Sequence, residues 1–333
     1  MRIATYNVEW MNSLFDDDGA VLDDGEWSSR HDVTRAAQLG ALRTVFRAMD
    51  ADAVMVIEAP DTSRSRDTVR ALESFARFAD LRADRAVIGF SNDTQQEIAL
   101  LYDPDVLTVT HAPQAHPTAP RFDGSFRIDL DVDATEDKVV FSKPPLEVLV
   151  ETSNGTMLRM IGAHLKSKAP HGARDRDEVM RISIANRRKQ LAQAIWLRAR
   201  VDAVLADADP LIVLGDLNDG PGLDEYEHLF GRSSVEIILG TGDKALFDPH
   251  ARQALQRRLG ATPTTARFWI RPEQRFLQAL LDYIMVSPDL AALAPTWRIW
   301  HPLDDPQCWA DADLRDALVT ASDHFPVSLD IAL

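Results

Sequence analysis

The sequence predicts a mixed α/β sandwich, in which helices cover packed β-sheets. Short apolar runs rich in Val and Ile alternate with longer segments of helical periodicity, and this alternation is typical of α/β proteins. The pair Asn154-Gly155 stands between two apolar runs within residues 146–165, and this setting is a strong signal for a tight hairpin turn. The sheets are therefore expected to be partly antiparallel, rather than purely parallel and doubly wound.

Four short apolar runs are predicted as buried strands, because each is rich in β-branched residues and ends abruptly in polar residues. They are residues 3–9 (IATYNVE), 53–58 (AVMVIE), 211–218 (LIVLGDLN) and 280–287 (LLDYIMVS). Helical spacing of apolar residues predicts helices over residues 33–49 and 177–205. No glycine-rich phosphate loop follows any of these strands, which excludes a Rossmann or P-loop nucleotide site.

The composition is that of an ordinary globular protein. The 333 residues are 45% hydrophobic and 26% charged, and no linker or repeat divides them, so residues 1–333 are expected to form a single domain. No signal peptide or apolar span long enough to insert in a membrane is recognised, and the single Cys308 cannot form an internal disulfide. A cytoplasmic location is the simplest expectation, and no obligate protein partner is evident.

Charge is unevenly distributed along the chain. The formal net charge of minus 16 argues against a protein that coats nucleic acid through a positive field over its whole surface. Residues 159–200, however, contain 11 Lys and Arg residues against three acids. This stretch either attracts phosphate locally or forms the solvated basic face of a long helix, and the sequence does not decide between the two.

Polar residues end the predicted strands where apolar residues would be expected. Buried ionised groups at such positions are costly unless they are paired or bound to a metal, and strand ends in α/β sheets converge on a common crevice. The residues in question are Asn7, Glu9, Glu58, His164, Asp216, Asn218 and Asp282. A shared site is therefore predicted, although Asp and Asn are also common in turns.

The spacing within this set suggests that neighbouring carboxylates and amides have different chemical roles. Residues two apart on an extended strand face the same side, so Asn7 and Glu9, or Asp216 and Asn218, can each present an amide together with a carboxylate. A carboxylate binds a hard cation or accepts a proton, whereas an amide positions water or a phosphate oxygen without adding charge.

A histidine stands beside an acid near the end of the chain, in Ser322-Asp323-His324-Phe325-Pro326-Val327. A lone His in such a place is more often structural than catalytic. An acid on a neighbouring strand, Asp282, changes this balance, because it could hold the imidazole of His324 in one tautomer and stabilise its charged form.

Together these motifs resemble the ordered signature of the endonuclease/exonuclease/phosphatase superfamily. The matching segments are NVEW at 7–10, VIEAP around Glu58, HLKSK at 164–168, GDLND at 215–219, LDYIMVS at 281–287 and SDHFPV at 322–327. The resemblance spans residues 3–331. It implies a DNase-I-like four-layer α/β sandwich, with two packed mixed, mainly antiparallel β-sheets flanked by helices, and metal-dependent hydrolysis of phosphate esters.

On the metal side, the resemblance implies that Glu58 is the principal ligand. Asp323 matches a further carboxylate on the metal side, and Asn7 matches the asparagine that orients the surroundings of the site. Glu9 corresponds to a position that is acidic in some branches, so it is either a second ligand or a solvent-facing acid. Oxygen ligands without a Cys/His cluster favour Mg²⁺ or Mn²⁺ over zinc.

On the catalytic side, Asp216 matches the aspartate that positions or activates the attacking water. Asn218 matches the residue that holds a phosphate oxygen, and His164 matches a histidine that contacts phosphate. Asp282 and His324 match a paired acid and histidine. Either Asp216 or His324 could accept the proton of the water.

The chain departs from the family pattern at several positions. Ile57 stands before the glutamate where Gln is usual, and Lys143 stands where Arg is frequent, which would turn a bidentate phosphate clamp into a point charge. Lys143, Lys166 and Lys168 are predicted to contact substrate phosphate. Gln96-Glu97 lies where some members carry an acid that orients the histidine at 164, but the alignment there is too loose to transfer that role.

The predicted reaction is in-line attack of activated water on a phosphodiester, assisted by Mg²⁺ or Mn²⁺. Nucleic acid is the favoured substrate because of the basic stretch after HLKSK. The alternative is a phosphatase or phosphodiesterase for a small or lipid-derived ester, since the chain is acidic and the loop DDDGAVLDDGE at 16–26 would repel a long polyanion. A noncatalytic binding module on the same fold is the remaining alternative, and it is disfavoured because every main catalytic position is filled.

Overall fold

Two β-sheets pack face to face, and helices cover the outer surface of each. The computed structural model describes residues 1–129, 137–170, 172–220, 231–256, 262–270 and 274–333. The resulting four layers confirm the predicted α/β sandwich with two mixed, mainly antiparallel sheets. None of the described helices has the length and apolarity needed to span a membrane.

The described strands are β1 (Arg2–Asn7), β2 (Ala53–Ala59), β3 (Arg85–Ile88), β4 (Glu97–Tyr102), β5 (Leu107–His111), β6 (Phe126–Ile128), β7 (Asp137–Val139), β8 (Leu146–Thr152), β9 (Met157–His164), β10 (Leu211–Asp216), β11 (Ala266–Ile270), β12 (Arg275–Ala279), β13 (Asp282–Val286), β14 (Thr296–Ile299) and β15 (Val327–Asp330). The α-helices are α1 (Arg35–Met49), α2 (Thr68–Ala79), α3 (Arg176–Ala206), α4 (Ser234–Leu239), α5 (Pro249–Leu255), α6 (Pro288–Ala291), α7 (Pro306–Ala310) and α8 (Ala312–Ala321). Short 3₁₀ turns cover Met11–Leu14 and Gly242–Lys244.

The first sheet has the strand order β14-β15-β1-β2-β4-β3, and the second has the order β13-β10-β9-β8-β5. Only the neighbours β1 and β2, and β9 and β10, run parallel in these two sheets as described. The predicted hairpin joins β8 to β9, and Gly155 in its turn has a φ of 87°, a conformation that glycine adopts without a steric penalty. Two further hairpins pair β6 with β7 and β11 with β12.

The apolar core lies between the sheets and beneath the helices. Ile3 and Met55 of the first sheet meet Met160, Leu214 and Ile284 of the second. The sheets approach so closely that a Cβ atom on Gly162 would lie 2.3 Å from the Met55 sulfur. Strands and their facing side chains are therefore held at fixed separation across the interface.

The outer faces of the two sheets are covered by helices. Leu42 and Phe46 of α1 and Phe75 of α2 pack on the first sheet, whereas Trp196 and Leu197 of α3 pack on the second. The bounds of α1 and α3 agree with the helices predicted over 33–49 and 177–205. Each begins at a residue whose side chain accepts a backbone N–H, which satisfies one of the free donors at the helix start.

This packing determines where the polar strand ends point. Side chains alternate between the two faces of a strand, so residues two or four positions from a residue of the inter-sheet core lie on the same face as that residue. On β10 the residues Ile212 and Leu214 enter that core and Asp216 follows them, while on β13 Asp282 precedes Ile284 and Val286. Asp216 and Asp282 therefore lie on the core-facing side of their strands, at one rim of the core.

Candidate active site

Three polar residues form a row across the second sheet. His164 on β9 and Asp282 on β13 are the register partners of Asp216 on the central strand β10. All three side chains are buried. The row explains why apolar strands end in charged residues: the strand ends are neighbours, so the polar groups face one another rather than the apolar core.

The first sheet adds Asn7 to this row from the opposite side of the interface. Its Nδ2 donates to Asp216 Oδ2 over 3.0 Å, and its Oδ1 accepts the backbone N–H of Glu9 over 3.1 Å. The second contact orients the amide so that its NH₂ group faces the carboxylate. Asn7 therefore ties the two sheets together at the site.

Asn218 completes the hydrogen bonding of Asp216. Its backbone N–H donates to Asp216 Oδ1 over 2.8 Å, and its Nδ2 lies 3.3 Å from Oδ2 and 3.1 Å from the Leu165 carbonyl oxygen. Asn218 has a φ of 49°, and a turn of this kind brings its amide back beside the strand it has just left. Burial raises the pKa of Asp216 to about 7, although the neighbouring His324 opposes that change.

His324 and Asp282 form the predicted pair. His324 Nδ1 donates to Asp282 Oδ2 over 2.8 Å, and the hydroxyl of Thr265 donates to the same oxygen over 2.7 Å. Burial alone would lower the pKa of His324, but the carboxylates of Asp282 and Asp216 outweigh burial and raise it to about 10. The imidazole is therefore protonated at neutral pH, with its Nε2 3.9 Å from Asp216 Oδ2.

His164 is held in the opposite charge state. Burial, reinforced by the adjacent Lys143 ammonium, lowers the pKa of His164 well below its usual value. Lys143 Nζ lies 3.2 Å from His164 Nδ1, and His164 Nε2 lies 3.6 Å from Asp216 Oδ2. Burial also lowers the pKa of Lys143, while Glu58 and Asp216 oppose that change. The site thus contains a neutral and a charged imidazole on either side of Asp216.

Glu58 reaches the site through an irregularity in β2. The register between β2 and β4 shifts between Ile57 and Ala59, and Glu58 has a φ of 64°. Regular alternation would place Glu58 on the face opposite Ile57, so the bulge is what redirects its side chain. Glu58 Oε2 accepts the Trp10 backbone N–H over 3.1 Å, and Oε1 lies 4.0 Å from His164 Nε2.

Two groups of side chains could be considered for a divalent metal. Ligand atoms of Asp216, Asp282 and His324 lie within 4.8 Å of one another. A protonated His324 has no free lone pair and repels a cation, so this group is better described as a hydrogen-bonded charge network. Glu58 fits better, because among the described residues its Oε1 has no hydrogen-bond partner and a hard cation prefers carboxylate oxygen.

The other two predicted metal ligands lie beside this region. Asp323 Oδ1 is 4.0 Å from His324 Nε2, and its side chain is partly exposed. The carboxylate of Glu9 contacts the Arg30 guanidinium and also accepts the Asp323 backbone N–H over 2.8 Å. Asp323 is therefore near the row, whereas Glu9 is engaged by protein groups, and the metal roles of both residues stay predictions.

The predicted phosphate-contacting lysines have different surroundings. Lys143 lies beside His164 of the row, and Lys166 is half-buried close to Lys189. Lys168 Nζ instead donates to the buried Asp219 carboxylate over 2.7 Å. This ion pair competes with contact between Lys168 and a substrate, so its substrate role also stays a prediction.

The loop after β10 is held by residues that sequence analysis had not singled out. Arg187 on α3 is buried and its Nη1 lies 2.8 Å from Asp219 Oδ1, while Gln190 Nε2 donates to the Leu217 and Asn218 carbonyl oxygens. Their three-residue spacing on the buried face of a helix is a signal that could have found them. The basic stretch is thus partly an internal scaffold for the site loop.

Glu97, by contrast, does not orient His164 through any described contact. Its carboxylate accepts hydrogen bonds from Asn92 and Thr62, and burial raises its pKa to about 7. Ile57 is fully buried between the sheets, so this departure from the family pattern fills the core next to Glu58.

Comparisons with known proteins agree with this architecture. The sequence model of the Endonuclease/Exonuclease/phosphatase family matches residues 4–324, whereas a search of curated proteins finds no match. Truncated Caenorhabditis elegans TDP2 is 13% identical with a TM-score of 0.51, and the alignment covers 99% of this chain and 97% of that one. An endonuclease/exonuclease/phosphatase family protein from Bacteroides thetaiotaomicron is 15% identical with a TM-score of 0.51, covering 100% and 98%. The mannosyl-6-phosphatase Bt3783 of that species is 15% identical with a TM-score of 0.50, covering 100% of both chains.

Proposed function

The chain belongs to the endonuclease/exonuclease/phosphatase family, whose members are metal-dependent phosphoester hydrolases, and we propose that it cleaves phosphodiester bonds of nucleic acid by in-line attack of water. The observation that carries this proposal is the buried row of His164, Asp216 and Asp282, with Asn7 bonded to its centre from the other sheet. Together with His324, which is bonded to Asp282, this row offers a base, two imidazoles of opposite charge state and an oriented amide within one small space.

Asp216 is the proposed base. A pKa of about 7 leaves a large fraction of the carboxylate ionised at neutral pH and matches its proton affinity to the task of deprotonating water. Asn7 and Asn218 hold the carboxylate in place. Because His324 already carries a proton, it is less suited to accept another one.

His324 is the proposed stabiliser of charge on phosphate. Its Nδ1 is bound to Asp282, so Nε2 is the N–H group that remains available to a substrate oxygen. The 3.9 Å between Nε2 and Asp216 Oδ2 is too long for a hydrogen bond, so the two groups can face water and a phosphate oxygen separately. The ammonium of Lys143 adds positive charge on the other side of Asp216.

Glu58, with Asp323 beside the row, would hold the divalent metal. When bound there, Mg²⁺ or Mn²⁺ would supply Lewis-acid stabilisation of the charge that develops on phosphate and leaving-group oxygens. The open Oε1 of Glu58 and the redirected backbone at this residue support its role as the principal ligand.

Nucleic acid is supported by aromatic side chains that adjoin the row. Trp10 is 44% exposed and its backbone is bonded to Glu58, while the Phe268 ring meets the His324 ring edge-on at 5.5 Å. Nucleobases flanking a scissile phosphate can stack on aromatic rings without regard to sequence. An aromatic group on each side of the centre therefore suits a flexible single strand.

A small phosphate ester is the second candidate, and the ion pairing of the basic stretch favours it. Arg187 and Lys168 are bound to Asp219, and Arg200 is buried against Glu147. These cations are consequently unavailable as a track for a long polyanion. Lys143 and Lys166 would then be the lysines that contact the substrate phosphate.

A substrate panel tests both candidates. Single-stranded DNA, RNA, bis(p-nitrophenyl) phosphate, sugar phosphates and lipid phosphates would be assayed with Mg²⁺, Mn²⁺ or EDTA. The nuclease proposal predicts faster turnover of the single strands and a loss on Trp10→Ala that is confined to them. Trp309→Ala removes another exposed tryptophan, on α7, and serves as the control. Exclusive hydrolysis of small esters would instead establish the second candidate.

A further inference from the structure

One arginine reaches the metal side of the site from the loop that precedes α1. The Arg30 guanidinium contacts the Glu9 carboxylate through Nη1, and its Nη2 donates to the Val319 carbonyl oxygen on α8 over 2.8 Å. Its side chain is only 15% exposed, and that of Glu9 only 19%. This is a partly buried, anchored ion pair rather than a solvated surface contact.

The same contact involves Asp323. Glu9 Oε2 accepts the Asp323 backbone N–H and also meets Arg30, and the Asp323 carboxylate acts electrostatically on Arg30. Gln38 donates to the Glu9 carbonyl oxygen over 3.2 Å and to the Ala321 carbonyl oxygen over 3.1 Å. The segments that carry Glu9 and Asp323 are therefore fixed around the guanidinium.

We propose that the Arg30 guanidinium takes the place of a second metal ion, so that the chain binds one divalent ion, at Glu58, and Glu9 is not a ligand. The inference rests on the metal-dependent chemistry of the proposed function. The Glu9 carboxylate would attract a second cation if it were unpaired. Its contact with Arg30 already satisfies that attraction, and the guanidinium would repel a second divalent ion.

Counting bound Mn²⁺ by electron paramagnetic resonance tests the proposal independently of hydrolysis. The purified chain of 333 residues would be titrated with Mn²⁺, with thermal melting used to verify that each variant is folded. We expect one Mn²⁺ per wild-type chain. Glu9→Gln should retain that ion with little change in affinity, whereas Glu58→Gln should bind it far more weakly.

Variants at Arg30 provide the decisive comparison. Arg30→Met keeps a long side chain but removes the charge, and it should create a second Mn²⁺ site. Arg30→Lys keeps the charge and should still bind one ion, and the double variant R30M/E9Q should return to one ion.

The proposal is overturned by two ions on the wild-type chain, by loss of the ion in Glu9→Gln, or by a folded Arg30→Met that still binds one. Wild type and Glu9→Gln keep the test valid if Arg30→Met does not fold. A failure of the nuclease assignment would leave these Mn²⁺ counts unchanged, so the two proposals fail separately.

Discussion

Asn7 and Asp216 belong to different β-sheets, yet Nδ2 of the asparagine donates to Oδ2 of the aspartate over 3.0 Å. The hydrogen bond spans the interface between the sheets at the rim where their polar strand ends meet. The geometry of the candidate base therefore depends on how the two sheets pack, and not only on the strand that carries it.

Replacement of Asn7 by Asp should reduce turnover by about a hundredfold at neutral pH, the scale of a lost positioning or charge-stabilising group. A second carboxylate beside Asp216 would raise the pKa of Asp216 further, because the negative charges of the two ionised carboxylates would repel each other. Steady-state rates of Asn7→Asp and Asn7→Ala should be compared across pH. Asn7→Asp should recover part of its activity at higher pH, whereas a loss of equal size at every pH would contradict the electrostatic explanation.

Substitution of the proposed base, Asp216, or of the charged imidazole, His324, should strongly reduce turnover. Asp216→Asn and His324→Ala are expected to lower kcat by roughly a hundredfold or more, because each removes an acid/base or charge-stabilising group from the centre. Circular dichroism and thermal melting would establish that the variants are folded. Near-normal turnover in either folded variant would remove that residue from the proposed mechanism.

The pH profile should be bell-shaped. Asp216, with a pKa of about 7, must lose its proton to act as a base, so the rate should rise through that region. His324, with a pKa of about 10, must keep its proton, so the rate should fall as the pH rises through that value. Asp282→Asn removes a carboxylate that raises the pKa of His324, and the basic limb should therefore move to lower pH. A basic limb that stays in place in Asp282→Asn would exclude His324 as its source.

Much of this site could be predicted from the sequence, because strand ends are local features. Asp216 and Asp282 follow or precede short apolar runs, and two-residue alternation places them on the inner face. The bulge that redirects Glu58 could not be predicted, since it arises from the register between β2 and β4. Glu58 itself was singled out as a polar strand end and by the resemblance to a family motif, but neither signal predicts the bulge.

Side-chain pairing between distant segments could not be predicted from the sequence either. The charge count of residues 159–200 suggests a surface able to attract phosphate, but Arg187 and Arg200 are almost fully buried in ion pairs. Lys168 pairs with Asp219, which is 51 residues further along the chain. Net charge in a segment does not reveal which cations already have a buried partner, because that depends on tertiary packing.

Asp219 should therefore contribute mainly to stability. Asp219→Asn removes a buried counter-ion of Arg187, and we expect a loss of about 3–5 kcal/mol in the free energy of unfolding. Urea unfolding would measure it. Asp202→Asn is the matched control, because Asp202 forms an exposed ion pair with Arg198 on the same helix as Arg187, and its loss should be about 0.2–1 kcal/mol.

The lowered pKa of the Asp219 carboxylate predicts that the stability of the protein depends on pH. Burial acts to raise the pKa of Asp219, but Lys168 and Arg187 outweigh burial and lower it below its ordinary value of 3.8. Its contribution is therefore present above pH 3.8 and is lost as the pH falls towards the lowered value. In acidic urea titrations the difference between wild type and Asp219→Asn should shrink. An undiminished difference would show that the ion pair is not the cause.

Salt dependence should distinguish a polymer substrate from a small one. If Lys166 contacts the backbone of nucleic acid, Lys166→Ala should flatten the log-log dependence of affinity on salt by about 0.7 to 0.9. It should barely change hydrolysis of bis(p-nitrophenyl) phosphate. Lys168→Ala should instead lower stability, since its ammonium is bound to Asp219. Equal losses on both substrates with Lys166→Ala would favour the small-ester candidate.

Metal dependence of hydrolysis is the most direct test of the account. The measurement is the rate of phosphodiester cleavage by wild type and Glu58→Gln during titration with Mg²⁺ or Mn²⁺, before and after addition of EDTA. The account predicts that EDTA abolishes the wild-type rate, that added metal restores it, and that Glu58→Gln needs a higher metal concentration because a ligand charge is missing. Hydrolysis that survives EDTA undiminished, or an unchanged metal titration in Glu58→Gln, would contradict it.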